Sequence, residues 1–122
     1  MAKLNSAPVT AILAFDTDWH EHLPELMPFA TDPHLAWQDR DRRIGAGQFN
    51  ASLQAGYFIL AVRAHGLAAG PMGGFDHAGV DAAFFPDGRW KSLLLVNIGH
   101  PGPESFKPRM PRLEFEQAAR LL

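Results

Sequence analysis

Three groups of residues in this 122-residue chain are of types that do chemistry. The densest is Gly66-Leu-Ala-Ala-Gly-Pro-Met-Gly-Gly-Phe-Asp76, with four glycines and one proline in eleven residues. Glycine leaves no Cβ in the way of a close backbone approach, and Pro71 fixes its own φ and biases the residues before it toward an extended path. Asp76 is a good N-cap for a following helix. A turn of this kind at a helix start can offer backbone N–H groups to an electron-rich ligand. A helix C-cap at Gly66 followed by a tight turn accounts for the same residues without a ligand. The second group is Lys107 and Arg109, in a proline-stiffened stretch with Arg112 close by, which on residue types alone reads as an exposed basic rim. The third is the histidines at 20, 22, 34, 65, 77 and 100.

His20 and His22 beside Asp16 and Asp18 have the donor types of a metal site. Histidines two apart converge only on a strand, however, and this segment reads as a solvated acidic loop, so no metal site is expected. His65 precedes Gly66 and fits a partner for a helix C-terminus. His100 could serve as a general acid. No serine, histidine and carboxylate stand in an order that suggests hydrolysis, and no side chain is singled out as catalytic. The Asp39-Arg-Asp-Arg-Arg43 run reads as a self-paired, solvated surface; the alternative is that one of its arginines clamps a substrate carboxylate.

The elements that must position these groups follow from periodicity. Pro8–Phe15 is apolar and partly β-branched, as in a buried strand. Asp16–Arg43 is polar and predicts short helical turns. Gly45–His65 predicts the major helix, with Phe49, Leu53, Tyr57 and Leu60 on one apolar face. From Ala55 to Ala64 nearly every position is apolar, so this helix needs cover on all sides, either in a core or in an interface between copies. Asp76–Phe85 predicts a short helix closed by the turn Pro86-Asp-Gly88. Trp90–Ile98 has the continuous apolar run of a fully buried strand, and Glu114–Leu122 has the makings of a terminal helix. The order indicates an α/β or α+β sandwich.

Composition narrows the class. Hydrophobic residues at 47% and charged residues at 20% suit a packed, soluble globular domain rather than a disordered one. A net charge of −2 gives no basic face for nucleic acid. The absence of cysteine rules out disulfides, thiolate metal sites and a cysteine nucleophile, and favours the cytoplasm. The N-terminus lacks a signal-peptide pattern, and no apolar run reaches the length of about 18 residues that spans a membrane.

Five blocks in order resemble the FMN-dependent nitroreductases. Ala7–Asp16 is similar to one of their sheet strands, and Asn50–Leu67 to their long central helix. Gly70-Pro-Met-Gly-Gly-Phe-Asp76 resembles the loop that lies against their flavin. Lys91–His100 resembles a later core strand, and Lys107–Leu113 their basic C-terminal segment. Within the family the chain most resembles the malonic semialdehyde reductase branch.

The resemblance implies an α+β, nitroreductase-like sandwich with a mixed sheet flanked by helices. It implies that residues 1–122 form the C-terminal portion of such a domain, since the family's Arg-x-Ser-x-Arg flavin motif does not occur here. It further implies FMN as cofactor and NADH or NADPH as co-substrate, a homodimer with the cofactor at its interface, and reduction of a small electrophile such as malonic semialdehyde or a nitro or quinone compound. Pro71, Met72, Gly73 and Gly74 would lie against the flavin ring, and Lys107 and Arg109 match the pair that contacts its phosphate. The alternative is a non-catalytic dimerising or flavin-binding remnant of that fold.

Overall fold

The structure is a computed structural model and describes residues 7–103 and 105–122. The expectation about a leader at the extreme N-terminus concerns residues 1–6, which lie outside the described residues. Val9–Asp16 forms strand β1, Ala68–Met72 strand β2 and Trp90–Gly99 strand β3. They make a three-stranded sheet in the order β1-β3-β2. The α+β class is as expected. The expected mixed sheet is not what forms: β3 pairs antiparallel with both neighbours. A register shift between Leu13 and Ala14 kinks the β1–β3 pair.

The stretch read as a glycine turn therefore contains a strand. Gly70 lies opposite Asn97 and Pro71 opposite Val96. Proline has no N–H to give to a ladder, and β2 is an edge strand where that loss is tolerated. The C-cap half of the reading holds. Gly66 has φ 76°, its N–H donates to Arg63 O, and Leu67 N–H donates to Val62 O. That is the Schellman pattern, in which glycine takes the left-handed position at no steric cost.

The major helix, α2 (Arg40–Ala64), starts five residues earlier than its apolar pattern predicts. A four-residue helix, α1 (Leu23–Leu26), and two 3-10 turns, Trp19–His22 and Pro33–Trp37, precede it. Asp39 caps α2 by accepting from Arg42 N–H at 2.8 Å, and Asp41 in the first turn suits the positive end of the helix dipole. The charged run is thus a helix start. Arg43 is buried: Nε donates to Thr17 O at 2.9 Å, Nη1 to Trp37 O at 3.0 Å and Nη2 to Asp18 Oδ1 at 2.9 Å. Arg42 lies over the Trp37 ring.

Helix α2 touches all three strands. Gly47, Ala55 and Val62 face the protein, whereas Phe49, Leu53, Tyr57 and Leu60 are 56–76% exposed. At about 100° per residue the two sets fall on opposite sides of the helix. One side of α2 is core and the other is an uncovered apolar face. The same shortage of cover reaches β3. Ser92, Leu95 and Val96 are buried, but Trp90 is 44% exposed, so the strand is only partly enclosed.

Helix α3 (His77–Phe84) opens at Asp76, whose Oδ1 accepts from Gly79 N–H at 3.0 Å, and it packs on β3. Gly88, with φ 75°, closes the turn before β3. The expected terminal helix shrinks to α4 (Phe115–Ala118). Residues 105–122 are all exposed, and without a buried face the cost of nucleating a helix is not recovered by packing.

Candidate functional site

The edge of the sheet at β2, the loop after it and the start of α3 build the first half of the expected site. Pro71 and Met72 are the last two residues of β2, opposite Val96 and Leu95. Gly73 and Gly74 follow as the exposed loop. Neither has positive φ, so positive φ is not why glycine stands there. A Cβ added at either would meet nothing within 4 Å. The backbone here is bare and accessible.

The loop is tied down from one side. His77 Nδ1 lies 3.0 Å from Ser92 O and 3.2 Å from Ser92 Oγ on β3. Its Nε2 lies 3.3 Å from Gly73 O. The Phe75 and His77 rings stack with centroids 3.9 Å apart. Below them Asp81 Oδ1 accepts from Ser92 N–H at 2.8 Å, and Lys91 Nζ is 3.5 Å from Asp81 Oδ2. Burial raises the Asp81 pKa, but the Ser92 N–H and hydroxyl and the Lys91 charge outweigh it and hold the carboxyl below its ordinary value. His77 and Ser92 were missed as site residues in the sequence. Their separation of 15 positions carries no signal until α3 folds onto β3.

Lys107 and Arg109 stand in an exposed, irregular segment, and neither makes a hydrogen bond or ion pair among the described residues. The preceding Phe106 lies under the Arg63 guanidinium, 5.1 Å from it, and Arg63 also donates to Leu67 O at 3.1 Å. The segment therefore passes the C-terminal end of α2, where β2 begins. Gly73 follows the far end of β2, about 13 Å along a strand rising about 3.3 Å per residue. No hydrogen bond or ion pair joins Lys107 or Arg109 to residues 71–74 among the described residues.

Two broad apolar concavities of about 560 and 720 Å³ lie elsewhere, between α2 and the β1–β3 face. Ala14, Ala51, Gln54, Tyr57 and Trp90 line both. Their sequence signal was the helix apolar on all sides, which was read as needing cover and not as a groove. At the rim Asp16 is gripped by Arg89, and Arg89 also reaches Glu21 Oε2 at 3.0 Å. His22 Nε2 is 3.7 Å from Asp16 Oδ2. Among the described residues no group of three or more histidines and carboxylates is placed to hold a metal ion. No helix among them is long and apolar enough to cross a membrane.

Comparison with known proteins places this geometry. No protein-family model matches the chain. A Streptomyces coelicolor protein named as an NADH dehydrogenase/NAD(P)H nitroreductase is 55% identical over 118 residues, covering 95% of this chain and 58% of the relative. Similarly named proteins of Rhodopseudomonas palustris and Ralstonia nicotianae are each 48% identical, covering 98% of this chain and 61% and 62% of theirs. The chain thus spans about three fifths of the length of the curated relatives it matches. In structure it is similar to a Bacillus subtilis protein described as a nitroreductase, with a TM-score of 0.86 at 20% identity over 98% of this chain and 66% of the other. It is also similar to an Exiguobacterium sibiricum protein described as a nitroreductase in complex with FMN, with a TM-score of 0.82 at 17% identity, covering 98% and 65%. The fold is nitroreductase-like. The likeness in sequence is to proteins named as nitroreductases, and the likeness in structure is one of fold.

Proposed function

We propose that the chain is the C-terminal portion of an FMN-dependent NAD(P)H oxidoreductase of the nitroreductase family. In this reading it acts in the cytoplasm as a homodimer on a small electrophile such as malonic semialdehyde or a nitro or quinone compound. The observation that carries the reading is 46–55% identity, over nearly the whole chain, to relatives named NADH dehydrogenase/NAD(P)H nitroreductase. The FMN complex of a protein with the same fold supports the choice of cofactor.

The residues present fit the two ends of FMN. Gly73 and Gly74 offer bare backbone with open space where side chains would stand, a surface that a planar ring can approach. Lys107 and Arg109 are cations without protein partners among the described residues, suited to a phosphate by point charge and planar fork respectively. Bound FMN would supply the hydride chemistry. The chain's own part is to bind the ring edge through backbone N–H groups and to hold the phosphate. N–H groups fixed near the ring stabilise negative charge as it develops there.

The uncovered face of α2 supports the homodimer, because Phe49, Leu53, Tyr57 and Leu60 together expose more apolar surface than a small domain leaves bare without function. The same face also supports the second reading, a non-catalytic dimerising or flavin-binding remnant. Titrating the purified protein with FMN and then adding NADH or NADPH without oxygen separates the two. Bleaching of bound-flavin absorbance is expected of the enzyme, and saturable binding without bleaching indicates the remnant.

A further inference from the structure

His77 is exposed, yet both of its ring nitrogens are engaged. The Gly73 and Ser92 carbonyls can only accept, so the ring donates to Gly73 O where Nε2 carries a proton and to Ser92 O where Nδ1 does. Nε2–H is the state that ties the Gly73 carbonyl to the ring. Ser92 is itself fixed, since it is buried and its N–H is held by Asp81.

The consequence runs through one peptide unit. The Gly73 carbonyl and the Gly74 N–H belong to the same planar trans peptide, where they point in opposite directions. With the carbonyl turned to His77, the Gly74 N–H is turned away from it. That N–H has no hydrogen-bond partner among the described residues, and the space beside Gly74 Cα is open. An exposed glycine peptide is otherwise free to flip, since glycine accepts either orientation.

We propose that His77 is a positioning residue: by pinning the Gly73 carbonyl to β3 it aims the Gly74 N–H outward as a fixed donor for a planar, acceptor-edged ligand. The ligand half rests on the FMN reading above. The chain from Asp81 through Ser92 and His77 to Gly73 is then a support for one backbone donor.

The test uses His77→Ala and His77→Gln in the full chain. Gln can still donate from its side-chain amide to Gly73 O. In ligand-free protein, the Gly74 amide resonance is expected to shift in His77→Ala more than other β2 and β3 amides, and to return toward its original place in His77→Gln. In titrations, His77→Ala is expected to weaken FMN and riboflavin equally, by about tenfold for one lost fixed hydrogen bond. His77→Gln should recover most of that, with melting temperatures of all three proteins alike. An unmoved Gly74 resonance in folded His77→Ala overturns the positioning role whatever flavin does. A shifted resonance with unchanged flavin affinities overturns the ligand half. Failure of the unaltered protein to bind FMN or riboflavin removes the FMN reading and the ligand half together, and leaves the resonance to decide the backbone tie.

Discussion

Arg89 holds Asp16 through both carboxylate oxygens: Nε lies 3.0 Å from Oδ1 and from Oδ2, and Nη2 2.9 Å from Oδ2. The pair links the end of β1 to the residue before β3, and Thr17 N–H and Oγ add bonds to Arg89 O. Burial pushes the Asp16 pKa up, but the Arg89 hydrogen bonds, the Asp18 N–H and the Arg89 and His22 charges bring it below its ordinary value of 3.8. The folded carboxyl therefore binds its proton less readily than the unfolded one. Its contribution to stability is complete above 3.8 and is lost as pH falls below that value through the folded pKa. Asp81 behaves in the same way. Thermal unfolding at falling pH should show stability dropping below 3.8, and Asp16→Asn should flatten part of the drop. At neutral pH, Arg89→Ala leaves the Asp16 carboxylate without its main partner and should lower the melting temperature.

Gly47 lies inside α2 against Trp19. A Cβ there would stand 2.9 Å from Trp19 Cδ1 and 3.0 Å from Nε1. The indole cannot withdraw cheaply, because its Nε1 donates to Arg43 O at 3.0 Å. Gly47→Ala, which on helix propensity alone should stabilise, is expected to cost about 1–3 kcal/mol by overpacking. Gly45→Ala meets nothing within 4 Å and should stabilise slightly. Urea denaturation of both variants reads the contrast.

These two glycines mark how far the sequence could be read. The strands β1 and β3, the core of α2, the Asp76 cap and the Gly66 C-cap were legible because each depends on local pattern. Gly47 was not, since its reason is a tryptophan 28 positions away that only the folded loop brings near. The strand β2 was hidden because Ala68-Ala-Gly-Pro-Met72 has poor strand propensity and is held by pairing with β3. Pro71 and Met72 end β2, and Gly73 and Gly74 follow as an exposed loop. Their support from His77 and Ser92 depends on α3 docking, which no spacing records.

Gly74→Val tests the bare loop. The site has no positive φ and no neighbour within 4 Å, so the substitution should change stability by no more than about 0.5 kcal/mol, as at an ordinary surface position. If the loop lies against a ring, the same branched side chain should reduce FMN affinity by at least about tenfold. Melting temperature and FMN titration on one preparation check both halves; unchanged affinity takes the loop out of the site.

The exposed face of α2 bears on assembly. Sedimentation at micromolar concentration is expected to give a homodimer, and Leu53→Glu, at a position 56% exposed in the single chain, to give monomer. A burial cost of this kind falls on association rather than on the fold. A folded monomer for the unaltered protein would assign the face to something other than a second copy.

The central claim, that this chain holds FMN with Lys107 and Arg109 at its phosphate, is tested most directly by titrating FMN and riboflavin into the unaltered protein and Arg109→Ala, followed by flavin fluorescence. Saturable FMN binding is expected, with Arg109→Ala weakening FMN about tenfold to a hundredfold more than riboflavin, as for a charge-assisted hydrogen bond of about 1.5–3 kcal/mol. Equal losses for the two flavins would assign Arg109 to packing, and no saturable FMN binding by the unaltered protein would contradict the account.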